Sequence, residues 1–232
     1  MSTVENLQNA LRSFINIDNE DILQMLASIL EYDSSRNPSK GTLTYGHLEK
    51  RFSRSKELIK DALSWAAQWR LILPVEKTGI RGMFWGDRKE ILTKPVSKYD
   101  VLRIIQHLVD NAVKTGEWDA EYAVKSIFND MSDVENELGL SILKKIAELV
   151  KEDYREEMLA DFPYFFMPMS LFQKALQEFD ITETKEVDGW VERLRAMEIV
   201  SPDNRNASFT IGDLGFSFEL NPSLIILLKK AI

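Results

Sequence analysis

The sequence predicts a mainly α-helical protein with small β-hairpins, an α+β fold built from two similar modules. Apolar residues recur at helical spacing through most of the 232-residue chain. Two segments, near 71–85 and 199–220, switch from that spacing to short strands separated by turn residues. When the chain is aligned with itself at a shift of 128 residues, the apolar positions around the first segment coincide with apolar positions around the second, which indicates a repeat.

The N-terminal part, up to residue 94, is predicted to form four helices and a hairpin. Asp18 is a candidate N-cap for the second helix, and Ser53 or Ser55 can cap the fourth. Residues 77–79 are of types that favour turns, and they are predicted to join the two strands of the hairpin. The predicted elements are helices over 3–15, 19–32, 44–52 and 53–70, and strands over 71–75 and 80–85.

After Pro95 the predicted elements are again mostly helical and rich in acidic residues. An aromatic run over 162–168 is interpreted as a connector that buries Phe162, Phe165 and Phe166. The tail repeats the order of short helix, longer helix and hairpin. The predicted elements are helices over 97–115, 118–131, 133–159, 170–179, 184–197 and 224–232, and strands that begin at 199 and 208.

The shift of 128 residues aligns apolar positions in two helices and then in a strand. Two copies of one small fold need such a shared frame, so the sequence predicts a tandem repeat. The aligned pairs are Leu43–Leu171 and Leu48–Leu176 in the shorter helix, Ile59–Val187, Leu63–Val191, Ala66–Leu194 and Trp69–Met197 in the longer one, and Leu71-Ile72 with Ile199-Val200 in the strand.

Charge is distributed unevenly along the chain. The formal net charge is −8, yet residues 36–94 carry 13 Lys and Arg against six Asp and Glu, a local charge of +7. The remainder therefore carries −15. Because local potential governs docking to a polyanion, a basic segment in an acidic chain indicates nucleic-acid binding.

The short helix, the capped helix and the ending Trp-Arg-Leu-Ile-Leu-Pro over 69–74 resemble the winged-helix (winged helix-turn-helix) family. The resemblance covers 19–93 and, by element order, a second stretch over 140–222. It implies two winged-helix modules joined by a helical insert, as in transcription regulators. The implied domains are 1–94 with the first module, 95–139 as the insert and 140–232 with the second module and a C-terminal helix.

On this interpretation the first module contacts double-stranded DNA. Lys56, Lys60 and Ser64 share the helix face opposite the apolar stripe, and two arginines precede the helix, where phosphate is favoured. Lys and Arg would hold phosphates, whereas Ser64 and Gln68 could read bases. The alternative is that these are ordinary solvated charges. The predicted DNA-binding residues are Arg51, Arg54, Lys56, Lys60, Ser64, Gln68, Lys77 and Arg81.

The longer helix of the second module carries a mixed surface, which favours a structural or protein-binding role. A second function therefore stays open, a protein–protein interaction adaptor built from tandem winged helices with no nucleic acid. The helix over 97–115 has a wide apolar stripe and is a candidate dimerisation or partner face, although the stripe also suits packing within the chain.

Catalysis is not expected. His47 and His107 lie in different segments, and the ten glycines form no phosphate-binding loop. The chain contains no cysteine, and we expect no cofactor, no metal site and no catalytic residue. Acidic and amide residues at the N-terminus and the absence of a long apolar run predict a cytoplasmic protein without a signal peptide or membrane span.

Overall fold

The computed structural model describes residues 2–36, 43–74, 98–131, 135–153, 164–200 and 217–232. The chain divides into two compact units, Met1–Asp119 and Ala120–Ile232. Both units are mainly helical and carry small antiparallel strand pairs, which confirms the predicted α+β class.

The described part of the first unit contains five helices and three strands. Ser55 caps α4, and Asn19, rather than the predicted Asp18, caps α2. Asn19 Oδ1 accepts hydrogen bonds from the backbone N–H groups of Asp21 (3.0 Å) and Ile22 (3.3 Å). The elements are α1 (Thr3–Arg12), α2 (Glu20–Ser34), β1 (Leu43–Thr44), α3 (Tyr45–Phe52), α4 (Lys56–Gln68), β2 (Ile72–Pro74), β3 (Lys98–Val101) and α5 (Arg103–Thr115).

The three strands of the first unit form one antiparallel sheet in the order β1–β3–β2. The central strand is β3, where Val101 lies opposite Ile72 of β2. Beyond it, the N–H of Leu102 donates to the carbonyl of Leu71 at 3.2 Å. Because α5 begins at the next residue, the sheet leads directly into that helix.

Helix packing buries the apolar faces of the first unit. Helix α1 packs against α2 and α5, and α2 packs against α4. Phe14 meets the rings of Trp69 and Trp118 edge-on, at centroid distances of 5.8 and 5.6 Å. The stripe of α5 proposed for dimerisation is buried in this packing and is therefore not an exposed face. Its buried residues are Ile104, Ile105, Leu108, Val109 and Ala112.

The described part of the second unit also contains five helices and three strands. Helix α7 packs against α6, α8 and α10, and the strands follow the order β4–β5–β6. Val200 adds an antiparallel bridge to Leu220. The elements are α6 (Ala120–Met131), α7 (Asn136–Leu149), β4 (Glu152–Asp153), β5 (Tyr164–Pro168), α8 (Met169–Gln177), α9 (Thr184–Ala196), β6 (Ser217–Glu219) and α10 (Pro222–Lys230).

Helices α4 and α9 end in the same way, 128 residues apart. Arg70 (φ 55°) and Glu198 (φ 59°) both adopt the left-handed conformation that closes a helix. Each is followed by a residue whose N–H turns back onto the last turn and then enters extended chain. The matching bonds run from Leu71 N–H to the Ala66 carbonyl (2.8 Å) and from Ile199 N–H to the Leu194 carbonyl (2.9 Å).

The aligned apolar pairs of the longer helix and the strand are buried in both units. The shorter helix departs from the alignment. Leu43 lies in β1 rather than in a helix, and its counterpart Leu171 is half-buried on α8. The shift of 128 residues therefore applies from α4 and α9 onward, whereas α3 and α8 begin 124 residues apart, at Tyr45 and Met169.

Two predicted helices are shorter than expected. The helix predicted from 97 begins at Arg103, because the preceding residues form β3, in which Tyr99 and Val101 are buried while Asp100 is exposed. The helix predicted over 133–159 ends at Leu149, where the following residue is extended (ψ 133°). The spacing of apolar residues in these two segments is compatible with the longer predicted helices and with the shorter observed ones.

The predicted aromatic connector contains a strand. Its described part, Tyr164–Pro168, is β5, which pairs with β4 on one side and β6 on the other. Phe165 is buried as predicted, and Phe166 is half-buried, while Phe162 lies outside the described residues. The predicted return strand over 80–85 also lies outside them, and the described partner of β2 is β3.

The structural division cuts through the predicted insert 95–139. Strand β3 and helix α5 complete the first unit, because β3 is its central strand and α5 covers α1. Helix α6 belongs to the second unit, where it packs against α7 and α10. Each unit therefore has its own flanking helices.

Asp33, half-buried on α2, gives a pH-dependent prediction. Burial raises the pKa of its carboxyl, and the carboxylates of Asp100 and Asp110 act in the same direction against Arg36. An acidic group whose pKa is higher in the folded state than in the unfolded state, where it is near 3.8, stabilises the folded protein at pH values below the unfolded pKa. This stabilisation is lost as the pH rises through the folded pKa. We expect Asp33→Asn to raise the Tm at pH 7.

Thermal denaturation of wild type and Asp33→Asn between pH 3 and 8 tests this prediction. The gain in Tm should shrink as the pH falls through the folded pKa and vanish below the unfolded pKa, where the wild-type carboxyl is neutral in both states. Asp61→Asn, at an exposed position of α4, is the matched control and should have a Tm close to wild type. A Tm gain that is independent of pH would contradict this explanation.

Candidate nucleic-acid interface

Two adjoining helices, α3 and α4, position the predicted DNA contacts of the first unit. Helix α3 starts at a reciprocal pair in which Thr44 Oγ1 accepts from the N–H of His47 (3.3 Å) and His47 Nδ1 accepts from the N–H of Thr44 (3.4 Å). It ends at Ser53, which is left-handed (φ 47°). Ser55 then caps α4, its Oγ accepting from the N–H of Leu58 at 3.1 Å.

This tight connection brings four cationic residues to one place. Lys50, Arg51, Arg54 and Lys56 are all exposed and lie within seven residues at the end of α3 and the start of α4. We call these four residues the basic turn. Lys50 was not among the predicted contacts, although its position in the last turn of α3 beside Arg51 is a signal that could have included it.

Two members of the basic turn have partners inside the unit. Lys56 Nζ lies 3.1 Å from Glu49 Oε1, and this hydrogen bond, with the charge of Glu49, raises the pKa of Lys56. The guanidinium of Arg51 lies over the ring of Tyr32, 5.5 Å from its centroid. Arg54 is exposed, and none of the ion pairs described above includes it.

Three further predicted contacts, Lys60, Ser64 and Gln68, are less accessible. Lys60 and Ser64 are half-buried on α4. Gln68 is only 1% exposed, because the last turn of α4 is covered by the fold, so its side chain cannot reach a base. Lys77 and Arg81 lie outside the described residues. The structure therefore groups Arg51, Arg54 and Lys56 and separates them from Gln68.

A cleft of about 280 Å³ adjoins the basic turn. Arg51 and Arg54 line one side of it, and Asp21 and Gln24 of α2 line the other. The negative charge of the Asp21 carboxylate would repel an anion inside the cleft. A phosphate is therefore better accommodated on the outer side of the turn, at the start of α4.

The matching helix of the second unit, α9, is not basic. Arg195 Nη1 is paired with Glu192 at 2.8 Å, and Arg193 lies over the ring of Trp190, 5.3 Å from its centroid. Glu186 and Asp188 are exposed on the same helix. The exposed surface of α9 is therefore less favourable to a polyanion than the basic turn.

The part of the chain that is described contains no candidate metal centre. Within it, no three His, Asp or Glu side chains come together in a way that could hold a metal ion. His47 completes the start of α3, and His107 is half-buried on α5. Over the same residues, no helix is both long and apolar enough to span a membrane.

Comparison with known proteins identifies one protein family, whose model matches residues 5–230. The chain belongs to that family. No function is described for that family. No curated protein matches the chain, and no solved structure does.

Because the match covers both units, the family is defined by the two-unit chain rather than by either unit alone. The basic turn and the acidic second unit are the features that distinguish the two halves.

Proposed function

We propose that this protein binds duplex DNA through the basic turn of its first unit and acts as a regulator-like DNA-binding protein. The observation that carries the proposal is the exposure of four cationic side chains around the N-terminal end of α4. Lys and Arg side chains at a helix start can bind phosphates together with the free N–H groups of the first helical turn.

The proposed contact is mainly electrostatic. Glu57 in the first turn of α4 and Asp61 one turn later are both exposed, and their carboxylates repel phosphates. Ser64 is half-buried, which leaves little side chain to read a base edge. Binding should therefore depend strongly on salt and weakly on DNA sequence, as expected when phosphate contacts dominate.

The proposal assigns both units to the winged-helix class. Its support is the order of elements in the first unit, helix, strand, two helices and two strands, with the last strand central in the sheet. The second unit has a similar order around β5, α8, α9 and β6. We also propose that the protein works in the cytoplasm, without catalytic activity and without a cofactor.

Fluorescence anisotropy with a labelled random-sequence duplex, measured across a salt series, tests the proposal. We expect wild type to bind with a Kd on the order of 10⁻⁴ to 10⁻⁶ M and to weaken steeply as salt rises. Lys50→Glu/Arg54→Glu should abolish binding at moderate salt. This pair avoids Lys56, whose charge Glu49 partly offsets, and Arg51, which packs on Tyr32.

Lys151→Glu/Lys174→Glu is the matched control, because it makes the same change in net charge at exposed positions of the second unit. It should retain nearly wild-type affinity. If wild type fails to bind at low salt, or if both double variants lose affinity equally, the basic turn is not a DNA site.

A protein-interaction adaptor is the second candidate function. It is favoured by the Lys56–Glu49 pair and by the exposed Glu57 and Asp61, which reduce the positive potential of α4. A lack of DNA binding at low salt, with an intact fold by circular dichroism, would favour this candidate over the first.

A further inference from the structure

The second unit contains a groove that the proposed DNA contact does not use. It has a volume of about 720 Å³ and runs between the start of α7 and the N-terminal half of α9. Leu138, Ile181 and Trp190 contribute its apolar surface. Leu138 and Ile181 are half-buried, so an apolar side chain placed in the groove could cover them further.

Gly189 keeps this groove open. A glycine inside a helix costs about 1 kcal/mol relative to alanine. The described part of the second unit does not require it, since among those residues an added Cβ would meet only Arg193 Nη1, at an ordinary 3.4 Å. An alanine methyl group here would project among the residues that line the groove. The absence of a side chain therefore gives the groove space rather than relieving a clash.

Charge indicates what the groove would accept. Glu135, Glu183 and Glu186 line it and are exposed. Lys185 and Arg193 also line it, and Arg193 lies over the Trp190 ring, so the lining carries three negative charges against two positive ones. The second unit as a whole has 12 Lys and Arg against 21 Asp and Glu, a net charge of −9, whereas the first has 17 against 16, a net charge of +1.

We propose that this groove is a docking site for a basic amphipathic segment of a partner protein. An apolar residue of the segment would lie against Leu138, Ile181 and Trp190, and its Lys or Arg residues would face Glu135, Glu183 and Glu186. Charge complementarity favours this occupant, since nucleic acid is repelled by the same carboxylates. The site is independent of the basic turn, and either can fail without the other.

Three fluorescein-labelled helical peptides probe the groove of the full chain. The first has Leu on one face and Lys on the other, the second replaces Lys with Glu, and the third replaces Leu with Ser. Only the Lys/Leu peptide should bind. Glu186→Lys should weaken its binding at least tenfold, whereas Asp188→Lys, an exposed position on the same helix outside the groove, should not.

Gly189→Ala separates groove filling from misfolding. It should raise the Tm, because alanine favours the helix, while weakening the Lys/Leu peptide at least tenfold. Equal binding of the Ser and Leu peptides, or no effect of either groove variant, would overturn the proposal. Self-association of wild type that Glu186→Lys disrupts, without peptide binding, would overturn it in favour of a second copy of this chain.

Discussion

Gly139→Ala is expected to lower the free energy of unfolding by about 2–3 kcal/mol, since the alanine methyl overpacks a filled core. Gly139 lies on α7, where an added Cβ would come within 2.3–2.5 Å of three ring atoms of Phe128. The ring is fully buried and packs against Trp190 at a centroid distance of 5.9 Å. It therefore has little room to move away.

Gly189→Ala is the matched control for this change, because it is the same substitution in the same unit and no described residue would come closer than 3.4 Å to the added methyl group. Urea denaturation should show a loss for Gly139→Ala and a gain of up to about 1 kcal/mol for Gly189→Ala. Gly139→Ala/Phe128→Leu should recover part of the loss, since the two sites are coupled through one contact. Wild-type stability of Gly139→Ala alone would contradict the close approach of α6 and α7.

Trp69→Ala is expected to destabilise the first unit by about 3–5 kcal/mol, the usual cost of removing a large buried aromatic side chain. Trp69 is 5% exposed at the end of α4. Its ring supports Phe14, which in turn contacts Trp118, so the truncation leaves a cavity beside two further aromatic rings. The loss should therefore be larger than for an isolated apolar residue.

Hydrogen exchange followed by mass spectrometry tests where this destabilisation acts. In Trp69→Ala the increase in exchange should begin in α1, α4 and α5, and in Gly139→Ala it should begin in α6, α7 and α9. Trp65→Ala, at a half-buried position of α4, is the control and should have a smaller effect. An equal effect of Trp65→Ala would argue against the cluster around Phe14.

Most of the described helices could be predicted because their signals are local, although two of them are shorter than predicted. Ser55 and the apolar positions that follow it are enough to indicate α4. Strand β3 could not be predicted in this way, because four residues give little periodicity and a strongly amphipathic helix follows immediately. Its pairing with β1 and β2 depends on segments that are distant from it in the sequence.

The same reasoning explains the outcome at the candidate site. Local spacing correctly placed Lys56 on an exposed surface, but it could not show that Glu49 would pair with it. Gln68 shares a helix face with Ser64 in the sequence pattern, yet other parts of the fold cover the last turn of α4. Side-chain accessibility at helix ends depends on such neighbours, which a single helix pattern does not contain.

The central position of β3 has a consequence for synthesis on the ribosome. Residues 75–97 separate β3 from β2, and α5, which covers α1, follows β3. A nascent chain that has emerged only to residue 94 thus has α1, α2 and α4 without the strand and helix that close their core. The first unit can complete its folding only after Trp118, which packs on Phe14, has left the exit tunnel, and until then its apolar surface is a target for chaperones.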